Sequence, residues 1–92
     1  MTTERIEIDP TVMMGKPVIR GTRITVERVA TLYRQGQNAE DIAQTYPHLS
    51  LGQVYAALAY YHANRDEIDS ALAAADAEYD ALKRQQAAGQ QP

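Results

Sequence analysis

The chain has 92 residues, no cysteine and a formal net charge of −3 at pH 7. This length fits one domain with a small core, and the missing cysteine excludes disulfides and cysteine-ligated metal sites. No apolar run is long enough to span a bilayer and the N-terminus shows no charged-then-apolar leader, so the sequence predicts a soluble, cytoplasmic protein.

The N-terminal segments predict a short β-hairpin. Residues 5–9 alternate polar and apolar side chains, and Pro10 ends the pattern. Residues 18–24 predict a tight hairpin or a bent extended segment, in which Gly21 takes the position that needs a positive φ. Because an isolated hairpin is marginal in water, we expect these strands to lie against the helices or a second subunit. Residues 1–3 are expected to be a loose end.

Two short helices are predicted next. Thr25 can cap the first, and Gly36 suits the position just beyond its end. Asn38 is the predicted N-cap of the second, which stops before Pro47. Apolar spacings of three and four predict the buried faces, which hold Val26, Val29, Ala30 and Tyr33 in the first helix and Ala39, Ile42, Ala43 and Tyr46 in the second.

Residues 50–61 carry the clearest helical pattern. Ser50 and Gln53 have the spacing of a capping box, and the predicted buried face holds Leu51, Val54, Leu58 and Tyr61. With the helix before it and the turn at residues 47–50, this helix outlines a helix-turn-helix. In that motif the second helix enters a DNA groove, and Gly52 would permit a close approach to it.

A helix break is predicted at residues 62–64, with Asn64 as the N-cap of a last helix from Arg65 to about Gln86. Its narrow apolar seam, with steps of four and three, holds Ile68, Leu72, Ala75, Tyr79 and Leu82. The seam can dock in a partner's groove, fold back on the domain, or zip two subunits together. We therefore divide the chain into a domain at residues 1–64 and a partner-binding helix with a disordered tail (85–92) at residues 65–92.

The charge is distributed unevenly. Residues 1–36 hold six basic and four acidic side chains, residues 37–64 hold two acidic ones and no Lys or Arg, and residues 65–92 hold three basic and six acidic ones. Because phosphate contacts need Lys or Arg, a grip on DNA must come mostly from the first third. The predicted DNA-binding residues are Lys16, Arg20, Arg23 and Arg28 from that part, with Ser50, Gln53 and Tyr55 from the third helix.

Each of these predictions has a plainer alternative. The basic cluster can be a solvated hairpin, or Arg23 can tie the hairpin to Asp9 or Glu27. Gln53 can pair with adenine or be fully used in capping. Tyr55 can reach a phosphate or lie in the core.

Catalytic and metal sites are not expected. His48 and His62 are the only histidines, and no third or fourth ligand stands at a plausible spacing from them. No nucleophile–base pair is apparent, because Ser50 serves as a cap. We expect no enzymatic activity, no metal and no cofactor.

Several short runs together resemble a known prokaryotic family, domain of unknown function 433, over roughly residues 5–70. The joint occurrence of GKPVIRGTRI and YPHLS is specific to it. The matching positions are Asp9-Pro10, Gly15-Lys16-Pro17, Ile19, Gly21-Thr22-Arg23-Ile24, Val26, Gly36, Ile42, Tyr46-Pro47-His48-Leu49-Ser50, Val54, Ala57-Leu58 and Tyr60. The resemblance implies a homeodomain-like helix-turn-helix and similarity to antitoxins of type II toxin–antitoxin pairs, whose toxins look like PIN-fold ribonucleases.

The expected fold is mainly α, with a short N-terminal β-hairpin, a homeodomain-like three-helix helix-turn-helix and a long C-terminal helix. The expected function is that of a homodimeric antitoxin that neutralises a PIN-like toxin through the last helix, with its acidic residues (Asp69, Asp76, Glu78 and Asp80) approaching the toxin's basic surface, and that binds operator DNA. The alternatives are a stand-alone DNA-binding transcription regulator and a dimeric interaction module without DNA binding. The lack of basic residues at 37–64 favours the module.

Overall fold

The computed structural model describes residues 5–90, with side chains described through residue 86. The mainly α architecture, with a short antiparallel hairpin at the N-terminal end and a long last helix, is confirmed. The elements are β1 (Ile6–Glu7), a 3₁₀ turn (Met13–Gly15), β2 (Val18–Ile19), α1 (Val26–Arg34), α2 (Ala39–Thr45), α3 (Leu51–Ala63) and α4 (Arg65–Gln90). The expected loose end at residues 1–3 lies outside the described residues.

The two strands are shorter than predicted and pair antiparallel. Ile6 lies opposite Ile19, and both side chains are buried in the core that the helices form. The hairpin therefore lies against the helices, as its marginal intrinsic stability requires. After β2 the chain bends back, so that the Ile19 N–H donates to the Ile24 carbonyl at 2.9 Å, and Gly21 has the predicted positive φ of 80°.

The predicted N-caps of α1 and α2 are confirmed. Thr25 Oγ1 accepts a hydrogen bond from the Arg28 N–H at 3.0 Å, and Asn38 caps α2 through a capping box with Asp41. Gly36 follows the end of α1 with a φ of 100°, the left-handed conformation that favours glycine. These local bonds set where each helix begins and ends.

The core lies between α1, α2, α3 and the hairpin, and two predicted core residues are not in it. Tyr33 is 38% exposed and Leu51 is 42% exposed. Only part of Tyr33 is covered, by an edge contact of its ring with Tyr61 at 6.2 Å. Leu51 is the first residue of α3 and lies outside the core, whereas Leu49 from the preceding turn belongs to it.

The junction between α3 and α4 consists of Asn64 alone. The side-chain amide of Asn64 donates to the Tyr60 carbonyl at 3.0 Å, so the side chain caps the end of α3. The prediction that this side chain caps the start of α4 is wrong. Its carbonyl accepts from the Ile68 N–H at 3.1 Å and begins the new helix. The break between the helices lies where the sequence predicts it. Asn64 adjoins both helices, and its side chain bonds to the end of α3.

The predicted disorder at residues 85–92 is wrong as far as the chain is described. Helix α4 continues to Gln90, because the Gln and Ala residues there are good helix formers that extend a helix already nucleated. Residues 91 and 92 lie outside the described range.

The molecule is elongated because α4 projects from the core. Its 26 residues span about 39 Å. The radius of gyration is 15.3 Å, whereas a compact chain of this length has about 12 Å. None of the helices in the described range combines the length and apolar character needed to cross a membrane.

Candidate nucleic-acid interface and partner-binding helix

The N-terminal turn of α3 is closed by its own capping box. The Ser50 N–H donates to Gln53 Oε1 at 2.8 Å, and the Gln53 N–H donates to Ser50 Oγ at 3.1 Å. Ser50 and Gln53, two of the predicted DNA-binding residues, are thus used to start the helix. For Gln53 this is the capping alternative to pairing with adenine. Within the described part of the chain the Gln53 side-chain amide nitrogen makes no hydrogen bond, so it can still donate to a ligand.

The outward face of α3 is apolar and uncharged near this turn. Tyr55 is 55% exposed, which excludes the alternative that it lies in the core. Leu51 is exposed on the same side, one helical turn before it. Because the helix has no Lys or Arg, any cation on this surface must come from another element.

Arg5 supplies such a cation, and sequence reasoning did not single it out. Its guanidinium lies over Gly52 in the first turn of α3, where a Cβ atom would be 3.0 Å from Arg5 Nη1. The glycine that the sequence assigned to a groove contact therefore accommodates an arginine from β1's flank. The glycine at position 52 was the signal in the sequence for a close contact, but it did not show that Arg5 makes that contact.

Arg20 lies next to Arg5 across the hairpin. The Arg20 N–H donates to the Arg5 carbonyl at 2.8 Å, which continues the strand register by one residue beyond Ile6 and Ile19. Side chains directly opposite each other on antiparallel strands share a face, so two like charges stand together. Arg20 and Arg23 are exposed, and neither forms an ion pair with another described residue, so Arg23 is not tied to Asp9 or Glu27.

The other two predicted basic residues have internal partners. Lys16 Nζ is 3.7 Å from Glu27 Oε1. Arg28 Nε donates to the Tyr46 hydroxyl at 2.9 Å and links α1 to the end of α2. Both remain exposed at the surface, but these contacts compete with phosphate binding. Among the described basic residues of the N-terminal third, Arg5, Arg20 and Arg23 are thus the best candidates for phosphate contacts.

The seam of α4 divides into a covered and an uncovered part. Ile68 is 4% exposed and belongs to the core of its own chain, and Leu72 is half-buried against the same core. Tyr79 is 66% exposed and Leu82 is 56% exposed, and Ala75 is exposed as well. Ile68 is therefore not available to a partner, contrary to the prediction, because the start of α4 packs against α1 and α3.

A polar cluster fixes the direction in which α4 leaves the core. The buried Tyr61 hydroxyl donates to Asp69 Oδ1 at 2.7 Å. Asp69 also lies 3.7 Å from Arg34 Nη1 and 3.4 Å from Arg65 Nε. The Tyr61 hydrogen bond, followed by the two arginines, lowers the pKa of Asp69, while burial and the neighbouring carboxylate raise the pKa of Tyr61. Asp69 therefore serves the domain itself and is not among the acidic residues left for a partner.

A shallow cleft lies beside the covered part of the seam, between the end of α1 and α4. It has a volume of ≈ 270 Å³ and is lined by Thr31, Arg34, Gln35, Leu72 and Asp76. Leu72, the last covered residue of the seam, lines this cleft. The cleft and the seam thus form one continuous surface on α4.

The histidines serve packing and the turn. His62 lies edge-on to Tyr33 with ring centroids 5.4 Å apart, and His48 is exposed in the turn before α3. Among residues 5–86 no group of three or more His, Asp or Glu side chains is placed to hold a metal ion.

Comparisons with known proteins relate the chain to a described protein family. The model of the family described as "Protein of unknown function (DUF433)" matches residues 6–61. The chain is also similar to the crystal structure of a DUF433 member protein from Anabaena variabilis ATCC 29413, with a TM-score of 0.69 and 35% identity over 75% of this chain and 68% of that chain. No curated protein matches. The family match ends within α3, before the seam of α4.

Proposed function

This chain belongs to the family described as Protein of unknown function (DUF433), and we propose that it is the antitoxin of a type II toxin–antitoxin pair. The observation that carries the proposal is the uncovered seam of α4. Helix α4 leaves the core after Leu72 and holds Tyr79 and Leu82 in solvent, 66% and 56% exposed. An amphipathic helix with such anchors suits insertion into a hydrophobic groove of a protein partner.

The partner is a PIN-like ribonuclease. The acidic residues Asp76, Glu78 and Asp80 flank the uncovered seam, and a ribonuclease binds its polyanionic substrate through a basic surface. Complementary charge speeds association and selects the partner. Helix α4 then occupies the surface that RNA would use, and the toxin is silenced.

Operator DNA is bound by the opposite part of the molecule. Arg5 beside the first turn of α3 supplies phosphate contacts together with the exposed Arg20 and Arg23 of the N-terminal segment, and Tyr55 is exposed on α3. Phosphate contacts position a protein on DNA, and base contacts supply sequence specificity. The Gln53 amide nitrogen and Tyr55 are the groups of α3 that can reach a base edge or a phosphate. Lys16 and Arg28 add weaker contacts because Glu27 and Tyr46 already engage them.

Co-purification with the product of the adjacent gene tests the toxin half of the proposal. A tagged copy of this chain is expected to retain that product. The variant Tyr79→Ala with Leu82→Ala is expected to lose it. Arg84→Ala, on the opposite face of the same helix, is the matched control and should retain it. A neighbour that is never retained, and that is equally toxic with and without this protein, would overturn the assignment.

A dimeric interaction module that does not bind DNA is the second candidate. The exposed Leu51 and Tyr55 on a helix without Lys or Arg favour it, because a recognition helix usually supplies cations to the groove. It predicts stable self-association with no specific footprint on the upstream DNA. A stand-alone regulator predicts the reverse, namely a footprint by this chain alone whose affinity falls steeply with salt.

A further inference from the structure

The uncovered part of the α4 seam, which comprises Ala75, Tyr79 and Leu82, is suited to a partner of the same shape, and Gln86 continues its spacing by one more step. We propose that a second copy of this chain covers it, with the two α4 helices running antiparallel. The seam has the steps of four and three that pack two helices as a short coiled coil. Two large apolar side chains on each helix are more than half exposed in a single copy, so pairing removes them from water.

The covered part of the seam decides the orientation. Ile68 and Leu72 lie on the same face of α4 as Tyr79, and the core of the same chain occupies that face at their level. In a parallel pair both cores would lie on the joint face at the same height and would overlap. In an antiparallel pair the two cores lie at opposite ends of the paired helices, and each core lies beside the C-terminal end of the other copy's α4.

The available length also fits an antiparallel pair. When Tyr79 faces Leu82 of the second copy, the two-fold axis passes between residues 80 and 81, and Ala75 faces Gln86 of the second copy. The paired stretch then begins just beyond the half-buried Leu72 and uses the helix almost to its described end at Gln90. Each helix end reaches the cleft between α1 and α4 of the other copy.

Charges beside the seam are complementary in this register. Asp76 and Lys83 flank one side of the seam, and in an antiparallel pair residues at these positions face each other across the interface. Asp76 of each copy thus lies near Lys83 of the other, which gives two opposite-charge contacts. Neither residue forms an ion pair with another described residue of its own chain, so both are available.

The pairing has a consequence that rests on the proposed function. The same side chains, Tyr79 and Leu82, would contact the second copy and the toxin, so the two complexes exclude each other. The antiparallel dimer is then the state of the free protein, and toxin binding opens it.

A charge-swap experiment on the full chain, without toxin or DNA, tests the pairing by sedimentation velocity. Asp76→Lys alone and Lys83→Glu alone place like charges opposite each other twice, and each variant is expected to raise the dimer dissociation constant about tenfold. An equimolar mixture of the two variants is expected to form a heterodimer, because each of the two contacts then joins one basic and one acidic side chain. Lys83→Glu lies far from its own core, so its effect cannot come from misfolding there.

The variant Tyr79→Ala with Leu82→Ala gives the apolar test. Alanine is the best helix former, so the helix persists by circular dichroism while the dimer is lost, and Arg84→Ala should dimerise as the wild type does. A wild type that is monomeric at all concentrations would overturn the proposal. So would a dimer that none of these variants weakens, or a mixture that fails to restore association. Because no toxin is present, these results leave the antitoxin assignment to its own test.

Discussion

The Tyr61 hydroxyl donates a 2.7 Å hydrogen bond to Asp69, and this bond joins the end of α3 to the start of α4. Tyr61 is fully buried, and Asp69 also contacts Arg34 of α1. One carboxylate therefore ties α4 to α1 and α3, two of the three helices that form the core. It sets the direction of the seam that carries the proposed partner site.

Removing the Tyr61 hydroxyl should lower the free energy of unfolding but leave the protein folded. We expect Tyr61→Phe to lower the free energy of unfolding by about 1 kcal/mol, the usual net value of one hydrogen bond, in urea titrations followed by circular dichroism. Tyr60→Phe is the matched control, because within the described chain its hydroxyl has no hydrogen-bond partner, and it should change stability by less than about 0.5 kcal/mol. Equal effects of the two changes would contradict the role given to the bond.

Stability should fall on acidification because of Asp69. Its pKa is lowered in the folded state, first by the Tyr61 hydrogen bond and then by Arg34 and Arg65. A lowered folded pKa gives stability that is present above the unfolded value of about 3.9 and is lost as pH falls through the folded pKa. Asp69→Asn should therefore flatten the acid limb of the unfolding free energy. Asp66→Asn, an exposed neighbour on the same helix, should keep the wild-type limb, and identical limbs for Asp69→Asn and wild type would exclude this cause.

The arginines beside α3 should carry DNA binding. We expect Arg5→Ala with Arg20→Ala to lower affinity for the upstream DNA about tenfold and to reduce the salt slope by about 0.9 per lost phosphate contact, measured by fluorescence anisotropy at several salt concentrations. Adding Arg23→Ala should lower affinity further, while the thermal unfolding midpoint stays near that of the wild type. Arg84→Ala removes one positive charge from α4, away from this surface, and should not change the slope. An unchanged slope in the first variant would mean that these charges only solvate the hairpin.

Two glycines should respond differently to alanine. At Gly36 φ is 100° and no atom lies within 4 Å of an added Cβ, so the cost is purely conformational, about 1–2 kcal/mol. Gly52 is helical, and its Cβ would meet only the flexible end of Arg5, so Gly52→Ala should not destabilise the chain. It should nevertheless move Arg5 and weaken DNA binding. Equal losses of stability at both positions, measured in urea titrations, would contradict the conformations described.

Local hydrogen bonds made much of the fold predictable. The caps at Thr25, Asn38 and Ser50 depend on partners three residues away, so the sequence contains the whole interaction. The seam of α4 was predictable for the same reason, as a periodic pattern. Which part of it is buried was not, because that depends on where α4 meets α1, and the periodicity is the same at Ile68 and Tyr79.

The candidate DNA interface was predictable only in part. The sequence placed the cations in the first third, but Arg5 reaches Gly52 across a long stretch of chain, and no spacing rule connects them. Lys16 and Arg28 looked equally suitable, although Glu27 and the Tyr46 hydroxyl engage them in the fold. Such pairings follow from tertiary contacts, which a single sequence does not specify.

In the proposed function, the uncovered α4 seam binds and silences a ribonuclease toxin. The most direct measurement of this silencing is RNA cleavage by the purified product of the adjacent gene, with increasing amounts of this protein. We expect the wild type and Arg84→Ala to abolish cleavage at about equal molar amounts, and Tyr79→Ala with Leu82→Ala to leave it intact. Cleavage that the wild type does not inhibit, or that the seam variant inhibits equally well, would contradict the claim.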